Sequence, residues 1–112
     1  MEKQKRISFG YTRNEMNEIV IYKEQAEVVK LIFELYLFDQ SLSNISKYLE
    51  MYRIPSPSNK PVWGRQIINN VLSNENYIGN IDYPKIITNE LWDSAQNKKN
   101  NNSYSMRYSQ NK

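Results

Sequence analysis

The sequence predicts an α+β fold, a small helical domain of about four helices with a short antiparallel β-hairpin. Three observations carry this reading. Two short β-prone runs, 8–12 and 19–22, flank a polar stretch, 13–18, that holds the turn-forming Asn14 and Asn17. From Lys23 onward the apolar residues fall at helical rather than alternating spacing. Between two helical stretches, Pro55, Pro57 and Pro61 remove backbone donors and push their neighbours to extended conformations, so that segment is a connector.

The first helix is expected from Lys23 to about Phe38. Ala26, Val29, Ile32, Phe33, Tyr36 and Leu37 share one broad face, and Glu27, Lys30 and Glu34 leave only a narrow wet strip, which suits the central helix of a small core. Glu24 and Glu27 sit near its start, where negative charge suits the helix dipole. Ser41 is placed to cap a second helix, Leu42 to about Met51, with Leu42, Ile45, Tyr48 and Leu49 at helical spacing. A third helix is expected from about Gly64 to Ser73, then a short β-prone piece near Ile81, and Thr88 caps a fourth helix, Asn89 to about Asn97. Trp63, Trp92, Phe33 and Phe38 read as core rather than as base-stacking platforms. Residues 1–7 read as a basic arm, 8–97 as one folded domain, and 98–112, almost free of apolar residues, as a disordered tail or linker.

At 112 residues, with 39% hydrophobic and 24% charged, the chain supports one core and not two. It has no cysteine and no histidine, which removes disulfides, thiolate catalysis and the commonest metal ligand and general base. Acid pairs such as Glu15 with Glu18, or Glu24 with Glu27, are explained by a loop and a helix start. No catalytic residue, metal site, cofactor or small-molecule substrate is therefore expected. No apolar run approaches the ~20 residues of a membrane span, and the first six residues lack a signal-peptide core. The expectation is a cytoplasmic protein with no membrane partner.

A formal net charge of +3 says little, but the charges come in blocks. Lys3, Lys5, Arg6 and Arg13 oppose one acid near the start; Arg53, Lys60 and Arg65 occupy a stretch with no acid; Lys98, Lys99 and Arg107 lie in the tail. Solvated charge at the termini is the bland explanation of the outer blocks, and flexible arms that engage phosphates or a groove are the sharper one. The third helix is the most informative element. At ~100° per residue from Arg65, Asn69, Ser73, Gln66 and Asn70 fall at about 40°, 80°, 100° and 140°. The other arc holds Trp63, Ile67, Val71, Ile68 and Leu72. Arginine pairs bidentately with guanine, and asparagine or glutamine with adenine, on the major-groove edge. An ordinary surface helix in a chain where Asn, Lys and Ile make up 37 of 112 residues would look similar. Two adjacent asparagines in mid-helix cost propensity, which tilts the reading toward function.

In this order and spacing, Ser8-Phe9-Gly10-Tyr11, Ile19-Val20-Ile21, Ile32-Phe33-Glu34-Leu35-Tyr36, Ser41-Leu42, Ile54-Pro55-Ser56-Pro57, Trp63 with Arg65, Val71-Leu72, Tyr77-Ile78-Gly79 and Glu90-Leu91-Trp92 form a recurring pattern. It resembles the recombinase domain of the large serine recombinase family, over roughly residues 8–96. The resemblance implies a domain that follows a catalytic domain and binds attachment-site DNA in phage or transposon integrases, with the third helix as groove reader. Three departures stand out. Tyr22-Lys23 replaces the family's usual Asp-Pro at the first helix start, Gly64 replaces a serine after the tryptophan, and Arg53 replaces a glycine before Ile-Pro, at a position suited to left-handed backbone. Tyr11-Thr12-Arg13-Asn14-Glu15 superficially resembles the family's Tyr-x-Arg-x-Ser nucleophile motif, but Glu15 stands in the serine's place.

The expected function is a double-stranded DNA-binding targeting module of a site-specific serine recombinase, without the catalytic serine domain and not itself an enzyme. Arg65, Gln66, Asn69 and Asn70 are the expected base readers. Lys60, Arg53, Arg13, Lys3, Lys5 and Arg6 are the expected phosphate contacts. The partners are an attachment-site half-site and other domains or subunits of the parent recombinase. The rival classes are a protein-interaction module that docks on recombinase subunits or an accessory factor, and a free-standing transcriptional regulator.

Overall fold

The computed structural model describes residues 6–110. In chain order these form β1 (Tyr11–Arg13), β2 (Ile19–Ile21), α1 (Lys23–Leu37), α2 (Leu42–Met51), α3 (Arg65–Leu72), a 3-10 turn (Glu75–Ile78) and α4 (Asn89–Gln110). The α+β expectation therefore holds. The two strands pair antiparallel, with Tyr11 opposite Ile21 and Arg13 opposite Ile19. Asn14 organises their loop, its Oδ1 accepting from the Met16 and Glu18 amides at 3.0 and 2.9 Å, and Asn17 takes the left-handed conformation at φ 65°.

Helix α1 packs against β1, α2, α3 and α4 and buries Ala26, Val29, Ile32, Phe33 and Tyr36. Its N-cap, Tyr22, makes no side-chain cap bond, as the departure from Asp-Pro implied. The hairpin supplies the anchorage instead. The Tyr22 amide donates to the Gly10 carbonyl at 2.9 Å, and the Gly10 amide donates to Gln25 Oε1 at 2.8 Å. Gly10 has φ +108° and a Cβ there would stand 3.0 Å from Ile86 Cδ1, so both backbone and space require glycine. Phe38 is a correction to the expected core. It falls one residue past α1, off the apolar face, and is 80% exposed.

Ser41 caps α2, its Oγ accepting from the Asn44 amide at 3.0 Å. The helix ends in a Schellman motif, with the Ile54 amide donating to Leu49 O and the Arg53 amide to Glu50 O, both at 3.0 Å. Arg53 is the left-handed residue of that motif, at φ 54°. The connector then folds on itself. The Ser56 amide donates to Lys60 O at 2.8 Å and the Asn59 amide to Ser56 O at 2.7 Å. Trp63, 1% exposed, closes the connector and opens α3.

After α3, Asn74 Oδ1 accepts from the Asn76 amide at 3.0 Å and starts the 3-10 turn. Tyr77 is buried there, its hydroxyl donating to Phe9 O at 2.7 Å. Its carbonyl accepts from the Ile86 and Ile87 amides at 2.8 and 3.0 Å. The β-prone piece near Ile81 is not a strand. Asn80 Oδ1 accepts from the Asp82 and Tyr83 amides, both at 2.9 Å, bending the chain into a side-chain-closed turn that leaves Ile81 99% exposed.

Helix α4 starts as expected, with Thr88 Oγ1 accepting from the Leu91 amide at 3.1 Å. It does not stop near Asn97 but runs to Gln110. Composition misled here, because low apolar content does not end a helix; a Gly or Pro does, and neither follows Pro84.

Two stability tests follow. Left-handed backbone costs a side-chain-bearing residue about 1 kcal/mol relative to glycine, so Arg53→Gly is expected to raise the urea midpoint, and an unchanged or lower midpoint would contradict this. Burial pushes the Tyr77 and Tyr11 phenols well above their usual value near 10, with the neighbouring Tyr83 adding to the rise at Tyr11. Above about pH 10 the unfolded chain releases these protons while the folded chain retains them, so stability is complete below that pH and falls as pH rises past it. Denaturant midpoints measured between pH 8 and 11 are expected to show that decline, with a shallower slope in Tyr11→Phe.

Candidate nucleic-acid interface

Helix α3 is held from behind and bare in front. Behind it, Ile68, Val71 and Leu72 are buried. At its start, every polar atom of Trp63 is engaged. Its amide donates to Glu50 Oε2 at 2.7 Å, its indole Nε1 donates to Ile54 O at 2.8 Å, and its carbonyl accepts from Ser46 Oγ. The start of α3 is thus fixed to α2 and to the beginning of the connector. In front, Arg65, Gln66, Asn70 and Ser73 are exposed and Asn69 is half-buried. Among the described residues no hydrogen bond or ion pair holds the Arg65 guanidinium. Gln66 Nε2 donates to Asn70 Oδ1 at 2.9 Å, so those two amides stand as a pair one helical turn apart.

A cleft of about 500 Å³ runs beside this face. It is lined by the segment 6–9, by Pro57 with Ser58, and by Ile67 and Asn70 of α3; among the described residues no carboxylate lines it. Of the expected site residues, Arg6 and Asn70 both line this cleft. The wall at 6–9 is secured by contacts that spacing did not reveal. Ser8 Oγ accepts from Asn76 Nδ2 at 2.9 Å and Asn74 Nδ2 at 3.1 Å. Only the Asn-x-Asn pattern of a side-chain-closed turn hinted at those residues, and it did not say what they would hold.

The other cations are dispersed. Lys60 and Arg53 are exposed at the two ends of the connector. Arg13 stays with the hairpin, its Nη1 donating to Asn17 O at 2.8 Å, and it does not line the cleft. Lys3 and Lys5 lie outside the described residues.

Lys98 and Lys99 pack against the body of the domain. Lys98 donates to the Tyr36 carbonyl, lies 3.4 Å from Asp39 Oδ1 and sits 4.4 Å from the centroid of the Tyr36 ring. Helix α1 has no base of its own in its last turn, so Lys98 supplies the positive charge its C-terminus favours. Lys99 Nζ donates to Ser73 Oγ, at the far end of the α3 polar face, and burial lowers its pKa. Among the described residues no cluster of His, Cys, Asp or Glu could hold a metal ion, and no helix is long and apolar enough to cross a membrane.

Comparison with known proteins adds three findings. A family model described as Recombinase matches residues 23–102. The crystal structure of a large serine recombinase–DNA complex is 24% identical, with a TM-score of 0.65 over 86% of this chain and 32% of that one. A structure from work on the sequence requirements of the Listeria innocua prophage attP site is also 24% identical, with a TM-score of 0.65 over 87% of this chain and 43% of that one. The fold is therefore shared, and this chain spans less than half the length of either solved protein.

Because Lys98 closes the end of α1, Lys98→Met, which keeps the stem and removes the charge, is expected to lower stability by about 1 kcal/mol. It is expected to leave affinity for DNA unchanged. A loss of DNA affinity with unaltered stability would return Lys98 to the phosphate-contact class.

Proposed function

This chain belongs to the Recombinase family, and we propose that its part is to bind double-stranded DNA, with α3 in the major groove, as the targeting module of a site-specific serine recombinase. One observation carries the reading: a rigidly backed helix whose exposed face offers Arg65, Gln66 and Asn70 and no acid. Arg65 suits a guanine, and the amides suit adenine. Asn69, half-buried, lies in the same arc of α3 and joins the base readers in this reading. The fold it shares with a recombinase–DNA complex supports the same orientation of function.

Arg6, Lys60, Arg53 and Arg13, with Lys3 and Lys5, serve as phosphate contacts in this reading. They supply affinity and register, while the α3 amides and Arg65 supply sequence discrimination. Arg53 is the informative case. Glycine would sit at φ 54° without strain, and a side chain kept in strained backbone is consistent with a task for that side chain. Strand cleavage and rejoining belong to other parts of the parent protein, with which this domain works in one chain or one assembly.

The test uses a half-site duplex enriched from a randomised pool and a scrambled duplex, compared by fluorescence anisotropy across salt concentrations. Cognate preference of tenfold or more, with affinity falling steeply as salt rises, is the expected result. Arg65→Ala is expected to cost ~1–3 kcal/mol on the cognate duplex and little on the scrambled one. Equal loss on both would make Arg65 a phosphate contact. No binding to either duplex at low salt would overturn the proposal in favour of a protein-docking module.

A further inference from the structure

The Gln66–Asn70 pair borders an apolar surface that the polar-face argument does not use. Ile67, half-buried, follows Asn70 around the helix, at ~200° against ~140° from Arg65, and it lines the cleft together with Asn70 and Pro57. A half-exposed isoleucine in an open cleft, beside two amides already joined to each other, is a mixed polar and apolar surface with a definite order. The hydrogen bond from Gln66 Nε2 to Asn70 Oδ1 leaves Gln66 Oε1 as an acceptor and Asn70 Nδ2 as a donor.

We propose that Gln66, Asn70 and Ile67 act as one unit that reads a single A·T pair in the major groove, with Ile67 and Pro57 receiving the thymine methyl. This rests on the DNA-binding reading above and narrows it to a base pair. Adenine offers an acceptor, N7, beside a donor, N6, which complements Asn70 Nδ2 and Gln66 Oε1. Its partner thymine places a methyl group on the same groove edge. Guanine at that place offers two acceptors and would leave Gln66 Oε1 facing another acceptor without a donor. Cytosine in place of thymine would leave the Ile67–Pro57 surface empty. The bond between the two amides also holds them in one arrangement before DNA arrives, so less side-chain freedom is lost on binding.

The probe is the half-site duplex enriched by the wild-type chain from a randomised pool. Enrichment is expected to fix one A·T pair, and the pools selected by Gln66→Ala and Asn70→Ala are expected to lose preference at that position alone. Deoxyuridine is then substituted for the thymidine of that pair, which removes only the methyl group and leaves the protein untouched. Affinity is expected to fall about fourfold (~0.8 kcal/mol, one buried methyl), and Ile67→Ala is expected to bind the two duplexes equally. A pool with no fixed A·T pair, an A·T preference that Gln66→Ala and Asn70→Ala retain, or full indifference to the methyl group overturns this inference while leaving DNA recognition standing. Failure to enrich any duplex overturns the DNA-binding reading itself.

Discussion

The arrangement depends on the seating of Trp63. A buried indole gains much from removal of its apolar area, but its N–H must find an acceptor. Here the acceptor is the carbonyl of Ile54, nine residues earlier, while the tryptophan's own amide and carbonyl are bound by Glu50 and Ser46 of α2. A connector with three prolines has few backbone donors; this one closes on itself at Ser56, Asn59 and Lys60, and Trp63 ties it to α2. Trp63 therefore makes the stiff segment a fixed spacer between α2 and α3. Phe9 meets the Trp63 ring edge-on, with centroids 5.7 Å apart. Both the α3 wall and the 6–9 wall of the cleft are thus positioned from the same side chain.

A second anchorage sets the hairpin against the 3-10 turn. Tyr11, Tyr77 and Tyr83 pack together, with Tyr11 and Tyr77 stacked at 6.0 Å and Tyr11 and Tyr83 edge-on at 4.7 Å. The Tyr11 and Tyr77 hydroxyls are spent on backbone carbonyls, and the Tyr83 hydroxyl accepts from the Ser8 amide. Tyr11 lies 2.7 Å from Pro84 O and 2.9 Å from Asn76 O, and Tyr77 lies 2.7 Å from Phe9 O. These bonds join the two ends of the domain, residues 9–11 with residues 76–84, without any regular sheet between them. A two-stranded hairpin is marginal by itself, and here the tyrosines and Gly10 supply what further strands would supply in a larger sheet.

Much of the fold was legible because its signals are local. The Ser41 and Thr88 caps, the 3.6-residue spacing of α1 and α2, and the prolines of the connector each act within a few residues, and each element appears where they place it. The left-handed backbone at Arg53 was legible from the family's usual glycine. What was not legible depends on contacts distant in sequence, or on the absence of any stop signal. Nothing near Lys98 announces that it will close the C-terminus of a helix some sixty residues earlier, and polar composition at 98–110 hid the continuing helix. Ile81 shows the converse error. Its β propensity is real, but a strand needs a partner, and Asn80 closes the turn first. For the candidate site, the angular order of α3 gave its exposed face correctly, whereas the cleft beside it could not be seen, because its three walls come from three separate parts of the chain.

In the DNA-binding reading, the charge pattern divides discrimination from affinity. Lys98 and Lys99 are engaged by Tyr36, Asp39 and Ser73, so in this reading the phosphate contacts fall to Arg6, Arg13, Arg53 and Lys60 with Lys3 and Lys5. Counterion release scales with the number of phosphates neutralised, so in this reading the non-specific binding of the isolated domain weakens steeply as salt rises. Weak non-specific binding is an advantage in a targeting module. Where several modules are joined, effective concentration supplies the affinity that each one lacks. The contribution that no neighbouring module can provide is the difference between right and wrong base pairs, which arises from fixed donors, acceptors and apolar surface. A rigidly backed helix with a paired amide face and an isoleucine at its edge is suited to that task, and the Trp63 anchorage is what keeps the face in place.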